Sequence, residues 1–316
     1  MTFNDPPSAL LEELRPKAFA IAYRMLGSVS DSEDVVQEGL MRLHEAMQRD
    51  EAIASPPAYL TTIVTRLCID HLRSARVQRE QYVGEWLPEP LLSSSGDEVG
   101  SRPELRESIG MAFLIVLETL SPEQRAVFLL RDVFDYDYAE IARIIGKSEA
   151  ACRQLAVRAR ARVYERRPRF EPRPEQQREL AQRFFAAIEQ GELDALEELL
   201  LEEVSLHGDG GGRVPALAQA LQGREAVARR LLNWRRAAEK AGGFSVEPTR
   251  VNGQAGALMR NAEGEVIAVW SLQIEEDHIR AIRVVVNPDK LRHVPGAGDF
   301  GRWVRRVREY LPEADA

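Results

Sequence analysis

Apolar positions recur at helical spacing through the first third of the chain. The first set ends before Gly27, and Ser30 or Asp31 then caps a second helix that carries a similar apolar stripe. A third helix follows the prolines at 56 and 57, runs from Tyr59 to Leu72, and ends in a basic segment with Arg73, Arg76 and Arg79. Helices in this order predict a small bundle with a basic edge over residues 1–80.

A second helical pattern follows between residues 107 and 170. Ser121 before Pro122 is a hydroxyl N-cap followed by a proline in the first turn, so a helix is predicted to begin at Pro122. The next apolar stripe is interrupted at Gly146, and Ser148 then caps a helix whose predicted inward side chains are Cys152, Leu155 and Ala159. Two helices joined by a short glycine turn predict a helix-turn-helix.

The predicted outer face of the last of these helices carries Arg153, Gln154, Val157 and Arg158. Arginine can bond guanine at two points, glutamine can pair with adenine, and an apolar group can meet the thymine methyl. The face therefore suits the major groove of DNA. The alternative is an amphipathic helix whose arginines only keep it soluble.

The periodicity changes after Pro174. Two helices, from Pro174 and from Leu193 to Leu201, precede segments with strand character, and another helix is inserted from Glu225 to Ala238. The predicted strands cover residues 204–213, 244–251, 256–260, 266–274 and 278–286. Helices followed by a curved antiparallel sheet predict an α+β cone over residues 174–294.

Residues 81–106 join the two helical modules. Much of this segment is polar and linker-like, but Trp86 and Leu87 precede prolines and make one part of it apolar. An exposed tryptophan there is unfavourable unless it docks on a surface. The sequence leaves two alternatives, a plain linker and a docked extended segment.

Composition and charge narrow the possible classes of protein. The chain has 316 residues, 44% hydrophobic and 29% charged, and it contains no apolar run of membrane-spanning length. The N-terminus lacks a basic and then apolar signal segment, so we expect a cytoplasmic protein with no membrane partner. Cys68 and Cys152 lie in apolar helical patterns, which favours buried thiols over metal ligands, and we expect no metal and no cofactor.

The net charge of −8 is unevenly distributed. Residues 147–173 contain nine basic and three acidic side chains, whereas residues 28–51 contain seven acidic and two basic ones. Separate basic and acidic faces allow contact with DNA through one and with a basic protein surface through the other.

Three motifs in register resemble conserved regions two and four of bacterial extracytoplasmic-function (ECF) sigma factors of the sigma-70 family. They are residues 31–43, residues 58–73 and the helix-turn-helix. The resemblance implies a non-enzymatic subunit that binds core RNA polymerase and directs promoter recognition and transcription initiation. Its implied partners are the β′ clamp helices and the β flap of the core, and the −10 and −35 promoter elements.

The same resemblance assigns roles to individual side chains. Contact with the core is implied for Asp34, Gln37, Glu38 and Arg42. The loop 53–57 and Arg66 would approach the −10 element, with Arg73 and Arg76 on the basic edge. The −35 element would be read by Arg153, Gln154, Val157 and Arg158.

The C-terminal part resembles the SigJ-like subgroup, which carries a fused SnoaL-like domain of the NTF2-like superfamily. The shared signatures are Trp86-Leu-Pro-Glu-Pro, the segment Asp209, Gly210, Gly211, Gly212 and Arg213, and the segment Asn287, Pro288, Asp289, Lys290 and Leu291. They imply a built-in regulator that packs on the sigma modules and replaces a separate anti-sigma factor.

The cone has other possible roles. Some cones of this class are cyclases or isomerases, for which His207, Asp209 and Trp270 are the candidate side chains, and others bind ligands. The competing function is therefore a helix-turn-helix regulator with a small-molecule-binding or enzymatic C-terminal domain. The tail, residues 295–316, is either a helix that caps the cone or a switch arm with few contacts.

Overall fold

The computed structural model describes residues 6–49, 52–79, 82–93, 110–165 and 173–310, with the side chains of residues 6–8 and 75–79 left out. The chain divides into two compact units. Unit 1 combines Met1–Glu80 with Phe113–Arg167, and unit 2 combines Gln81–Ala112 with Pro168–Ala316. The two helical modules, predicted as separate domains, thus belong to one unit, and the segment between them belongs to the other.

Unit 1 begins with the predicted bundle, formed by α1 (Pro6–Leu26), α2 (Val29–Gln48) and α3 (Pro56–Arg79). The cap of α2 is Ser28, whose Oγ accepts a hydrogen bond from the backbone N–H of Asp31 at 3.1 Å. The predicted cap at Ser30 or Asp31 is wrong, because Gly27 turns the chain at a positive φ and the next residue already caps α2. Gly39 lets α2 approach α3, since a Cβ there would lie 2.9 Å from Cγ2 of Val64.

The second half of unit 1 contains α4 (Met111–Leu117), which begins at the boundary between the units, α5 (Pro122–Phe128), a π-helical turn (Leu129–Val133), α6 (Tyr138–Ile145) and α7 (Glu149–Tyr164). The predicted start at Pro122 is confirmed, with Ser121 as its cap. Ser148 caps α7 as predicted, through a 3.2 Å bond from the N–H of Ala151. Leu155 is only half-buried, and Ala156 and Val163 complete the buried stripe instead.

Two arginines connect the modules of unit 1. Arg125 of α5 is buried and donates to the carbonyl of Met25 at 2.6 Å, near the end of α1. Arg66 of α3 donates to the carbonyls of Ile144 at 2.7 Å and Arg143 at 3.0 Å, at the end of α6. The last carbonyls of a helix have no hydrogen-bond partner within that helix. Each module therefore supplies donors to unpaired carbonyls at a helix end of the other module.

Unit 2 is a helix-covered sheet. Its helices are α8 (Pro174–Gln190), α9 (Leu193–Leu199), α10 (Arg224–Lys240) and α11 (Phe300–Arg308). Its strands are β1 (Leu92–Ser93), β2 (Leu200–Asp209), β3 (Leu221–Gln222), β4 (Phe244–Val251), β5 (Gln254–Asn261), β6 (Val266–Glu275) and β7 (His278–Val285).

The strand order is β1-β4-β5-β6-β7-β2-β3. β2 runs parallel to β7, and the other neighbours are antiparallel. One face of the sheet packs on the helices through a core that includes Phe184, Phe185 and Trp270. The predicted α+β cone is confirmed. The predicted helix to Leu201 and strand to Arg213 are corrected, because the chain enters β2 at Leu200 and leaves it at Asp209.

The tail helix α11 is part of the core. Phe300, Trp303, Val304 and Val307 are all buried in the main apolar cluster of unit 2. The expectation of a tail with few contacts is therefore wrong, and the alternative of a capping helix describes α11. Residues 311–316 of the tail lie outside the described residues. Within the described ranges, every helix is too short or too polar to cross a membrane.

We predict that Trp303→Ala lowers the unfolding free energy of unit 2 by about 3–5 kcal/mol, because it removes a large buried ring. Calorimetric unfolding of the full chain measures this change. Arg305→Ala, an exposed substitution on the same helix, is the control and should stay within about 0.5 kcal/mol of the parent protein. Equal stability of both variants would show that α11 does not hold the cone together.

Candidate functional site

The outer face of α7 is the predicted DNA-reading surface. Arg153, Gln154, Val157 and Arg158 are all exposed, and Val157 is 64% exposed. Arg153 pairs with Glu149 at 2.7 Å, and its guanidinium lies 5.2 Å from the centroid of the Tyr138 ring. The structure thus brings the four predicted side chains to one surface, with an apolar group between cations.

Other cations of α7 bind inside unit 1. Arg160 pairs with Asp132 at 2.8 Å, and Arg162 donates to the carbonyl of Thr119 at 2.7 Å. Their charge is directed toward the module itself rather than toward the outer face. This separates them from the four predicted DNA-reading residues.

The cations predicted for the −10 element have partners within unit 1. Besides the bonds from Arg66 to α6, Arg73 pairs with Glu123 of α5 at 2.6 Å and with Asp70 at 3.3 Å. Two of the three basic side chains of α3 that were assigned to DNA thus contact acceptors in their own unit. Each would have to leave these acceptors to reach a phosphate or a base.

The rest of the predicted −10 surface consists of Arg76 and the loop 53–57. The side chain of Arg76 lies outside the described residues, although its backbone belongs to α3. In the loop 53–57, Ile53 is half-buried and Ser55 Oγ accepts a 3.4 Å bond from the N–H of Ala58. The loop therefore ends in a cap for α3.

The predicted core-binding side chains share the solvent side of α2. Asp34, Gln37 and Arg42 are exposed, while Glu38 is half-buried and pairs with Arg42 at 2.7 Å. Met41 lies among them and is 52% exposed. Met41 is not among the predicted contacts, although an apolar residue on the polar face of an amphipathic helix is a visible signal.

Asp209 is the centre of a site that holds the segment between the modules. Its carboxylate is fully buried and accepts bonds from the hydroxyl of Tyr82 at 2.5 Å, the N–H of Leu87 at 2.8 Å and the N–H of Gly211 at 3.0 Å. Lys290 completes the set with an ion pair at 2.7 Å. We name Asp209, Gly211, Asn287 and Lys290 the linker dock.

Lys290 and Asn287 hold the segment from the other side. The Lys290 ammonium donates to the carbonyl of Leu87 and lies 4.3 Å from the centroid of the Trp86 ring, within cation–π range. Asn287 Nδ2 donates to the Tyr82 hydroxyl at 3.0 Å. Burial, together with the bond to Asp209, raises the pKa of Tyr82, so the hydroxyl keeps the proton that it donates.

The three positions after Asp209 have no room for a side chain, which explains why each is a glycine. A Cβ on Gly211 would lie 2.1 Å from Nδ2 of Asn287, and a Cβ on Gly212 would lie 2.9 Å from Cβ of Val83. Both glycines also have a positive φ. A Cβ on Gly210 would lie 2.2 Å from a backbone oxygen within the same turn.

The two C-terminal signatures also contact each other. Arg213 pairs with Asp289 at 3.1 Å, joining the turn after β2 to the short 3-10 helix Pro288–Leu291. Asn287 caps that helix through a 3.0 Å bond from the N–H of Asp289, and Leu291 is buried. Every residue predicted for the regulatory interface thus lies in or beside the linker dock.

The next residues of the segment continue along the cone. The carbonyl of Leu91 accepts a bond from the N–H of Asn252 at 2.8 Å, and the N–H of Leu91 donates to the Asn252 side-chain oxygen at 3.1 Å. The His293 ring bonds the carbonyl of Pro90 at 2.7 Å. β1 then pairs with β4, with Leu92 opposite Val251. Residues 82–93 are therefore a docked segment, the second of the two alternatives. Tyr82, Asn252 and His293, which hold this segment, are not among the residues predicted from the sequence.

Two of the three candidate catalytic side chains, His207 and Trp270, line one largely apolar cavity. The His207 ring bonds Glu85 at 2.6 Å and Ser205 at 2.8 Å, and Asp209 belongs to the linker dock. In the described ranges, His, Cys, Asp and Glu side chains form no group of three that could hold a metal ion. Cys68 and Cys152 are buried free thiols, and burial raises the pKa of both.

Comparison with family models defines the class of protein. Residues 10–77 match Sigma-70 region 2, which covers the bundle of α1 to α3, and residues 111–163 match Sigma-70, region 4, which covers the helix-turn-helix. A chain with both modules is an RNA polymerase sigma factor. We use region 2 and region 4 for the two modules below.

Whole-chain relatives identify the family. The ECF RNA polymerase sigma factor SigJ of Mycobacterium tuberculosis is 35% identical over 292 residues, 90% of this chain and 93% of the relative. The probable ECF sigma factor SigI of the same species is 34% identical, over 94% of this chain and 100% of the relative. This chain belongs to the ECF RNA polymerase sigma factors.

The match extends to a solved structure. The crystal structure of Mycobacterium tuberculosis SigJ matches with a TM-score of 0.73 and 32% identity, covering 92% of this chain and 99% of that chain. The likeness therefore includes the C-terminal cone. The protein functions as a sigma factor, and RNA polymerase core and promoter DNA are the partners that its family implies.

We predict that Gly211→Ala destabilises unit 2 more than Gly264→Ala does. Both glycines have a positive φ, which costs an alanine about 1–2 kcal/mol. Only at Gly211 would the new Cβ also overlap Asn287, adding about 1–3 kcal/mol, because no atom lies within 4 Å of a Cβ at Gly264.

Thermal unfolding measures the difference, and limited proteolysis between residues 82 and 93 shows whether the segment is released. Equal loss of stability in the two variants, with equal protection of the segment, would contradict the steric account of the linker dock.

Proposed function

We propose that this ECF sigma factor binds the β′ clamp helices of core RNA polymerase through α2 and the β flap through region 4, and that its own cone regulates it. Asp34, Gln37, Glu38 and Arg42 form the α2 contact. Region 2 recognises the −10 element and region 4 the −35 element. The observation that carries the regulatory part is the binding of residues 82–93, the segment between the two modules, in the linker dock.

The surface of α7 supports the proposed reading of the −35 element. Arg153, Gln154 and Arg158 are exposed donors, and Val157 supplies an exposed apolar group beside them. These side chains can bond base edges and contact a thymine methyl when α7 lies in the major groove. Arg160 and Arg162, which bind within unit 1, are excluded from this role.

The bonds between regions 2 and 4 support a closed inactive state. Arg66 and Arg73 are proposed promoter contacts, yet they bind the end of α6 and Glu123 of α5. Both bonds must break before these cations meet DNA. The closed unit therefore withholds its −10 surface while the two modules remain together.

The linker dock supplies a means of keeping them together. The docked segment continues at one end into region 2 and at the other into region 4. Because residues 82–93, the first half of this segment, are fixed on the cone, the segment cannot extend freely, and this limits how far the modules can separate. The cone thus acts within the chain as an inhibitor, and we propose that no separate anti-sigma factor is needed.

We also propose a role for the cone and boundaries for the parts of the chain. The cone acts as a binding element and not as an enzyme, because the candidate side chains His207 and Asp209 already bond Glu85 and the docked segment. We propose boundaries at residues 80, 106 and 170 for region 2, the linker and region 4, with a cone that extends through α11. The protein works in the cytoplasm without a cofactor.

We predict that Arg158→Ala costs about 1–3 kcal/mol of discrimination between the −35 element and random sequence, because a bidentate contact to a base is lost. Promoter binding by the complex with core polymerase measures it at fixed salt. Arg236→Ala, an exposed charge on α10, is the matched control. An equal loss on promoter and random DNA would make Arg158 a phosphate contact.

We also predict that Gly211→Ala increases run-off transcription at limiting core polymerase. Weakening the linker dock by about 1–2 kcal/mol raises the fraction of open protein by about 5- to 30-fold if the open state is rare. Gly264→Ala has the same backbone penalty outside the dock and should transcribe like the parent. Unchanged or reduced transcription with Gly211→Ala would overturn the inhibitory role of the dock.

A further inference from the structure

Arg283 is a buried cation in the sheet of unit 2. It lies on β7, is 7% exposed, and donates through Nη2 to Oε1 of Gln273 at 2.8 Å. Its Nε and Nη1 have no hydrogen-bond partner among the residues that the structure describes. Burying a charge is unfavourable unless an opposite charge offsets the loss of hydration, so Arg283 needs a countercharge.

The countercharge comes from the docked segment. Oε1 of Glu85, two residues before Leu87, lies 2.6 Å from Nδ1 of His207 on β2. His207 is directly opposite Arg283 in the register of β2 and β7, so the two side chains lie on the same face of the sheet. Burial lowers the pKa of Arg283 to about 10, and the negative charge of Glu85 opposes this change.

The side chains around Glu85 are suited to a carboxylate. A carboxylate only accepts hydrogen bonds, so Nδ1 of His207 carries the proton of this bond, and Nε2 bonds the Ser205 hydroxyl at 2.8 Å, which orients the ring. The guanidinium of Arg283 matches the geometry of a carboxylate. The Glu85 side chain is 31% exposed, so small molecules can reach its position from solvent.

We propose that His207 and Arg283 form a carboxylate-binding site of the cone, and that Glu85 of the docked segment occupies it. Asp209 follows His207 by two positions on β2, so this site adjoins the linker dock. The linker dock accepts the segment largely through its backbone and Tyr82, whereas the new site selects an acidic side chain. The cone therefore recognises the segment by the charge of one side chain as well as by its backbone.

This inference deepens the proposed function and rests on it only through the docked segment, because it names a side chain that holds the segment on the cone. Docking is measured in the free protein, without polymerase or promoter. Failure of the test below removes the carboxylate site and leaves the linker dock in place, whereas failure of the transcription tests removes the inhibitory role and leaves the site in place.

The test is chemical rescue in the full chain. Glu85→Ala removes a group that has the atoms of an acetate ion and leaves its space beside Arg283. We expect the amide of Leu87, which bonds Asp209 in the docked segment, to exchange about tenfold faster or more, because Arg283 loses its countercharge while it is buried. Added acetate should restore slow exchange in a saturable way, whereas acetamide or sodium chloride at the same concentration should not.

Two variants control for shape and net charge. Glu85→Gln removes the charge and keeps the space filled, so the Leu87 amide should exchange fast and acetate should not slow it. Glu202→Ala, which removes an exposed acid of β2, should exchange like the parent with and without acetate. Unchanged exchange in Glu85→Ala would overturn Glu85 as the occupant, and absent rescue by acetate, or equal rescue by acetamide or chloride, would overturn the carboxylate site.

A third variant tests the role of Arg283. Arg283→Met removes the cation and keeps an unbranched side chain of similar shape. In this background Glu85→Ala should accelerate exchange by less than in the parent, and acetate should have no effect, because no buried charge is left to offset. Rescue of the same size in this background would remove Arg283 from the site.

Discussion

The buried ion pair between Asp209 and Lys290 is the interaction on which the arrangement of unit 2 depends. A buried pair is stabilising only when its remaining donors and acceptors are also satisfied. Here both charges bond Leu87, Asp209 through the backbone N–H and Lys290 through the carbonyl. The cone therefore needs the segment between the modules to complete its own polar network, and the segment gains a fixed position in return.

In unit 1, arginine side chains of one module likewise donate to backbone carbonyls of the other module. Arg125 and Arg66 each bond carbonyls at the end of a helix from the other module, where the helix itself supplies no partner. Burial lowers the pKa of Arg125, and its bond to Glu118 at 2.8 Å accompanies the bond to the backbone. Arg66, a proposed promoter contact, is thus occupied within the chain, which is the physical basis of the proposed inhibition.

Local features could be predicted from the sequence. The start at Pro122, the cap at Ser148 and the exposed face of α7 follow from helical spacing and capping chemistry, which involve only neighbouring residues. The bond between Leu87 and Asp209 spans 122 positions, and no periodicity encodes such a pairing. The family resemblance singled out Asp209 and Lys290 but gave no geometry. β1 and β3, with two residues each, are too short to leave an alternating pattern.

Hydrogen exchange at the amide of Leu87 tests the central claim most directly, because this N–H bonds the buried Asp209 carboxylate in the closed protein. The account predicts slow exchange in the free protein and fast exchange once core polymerase and promoter DNA are bound. Slow exchange of the same amide in an active initiation complex would contradict it, because transcription would then proceed with the linker dock still occupied.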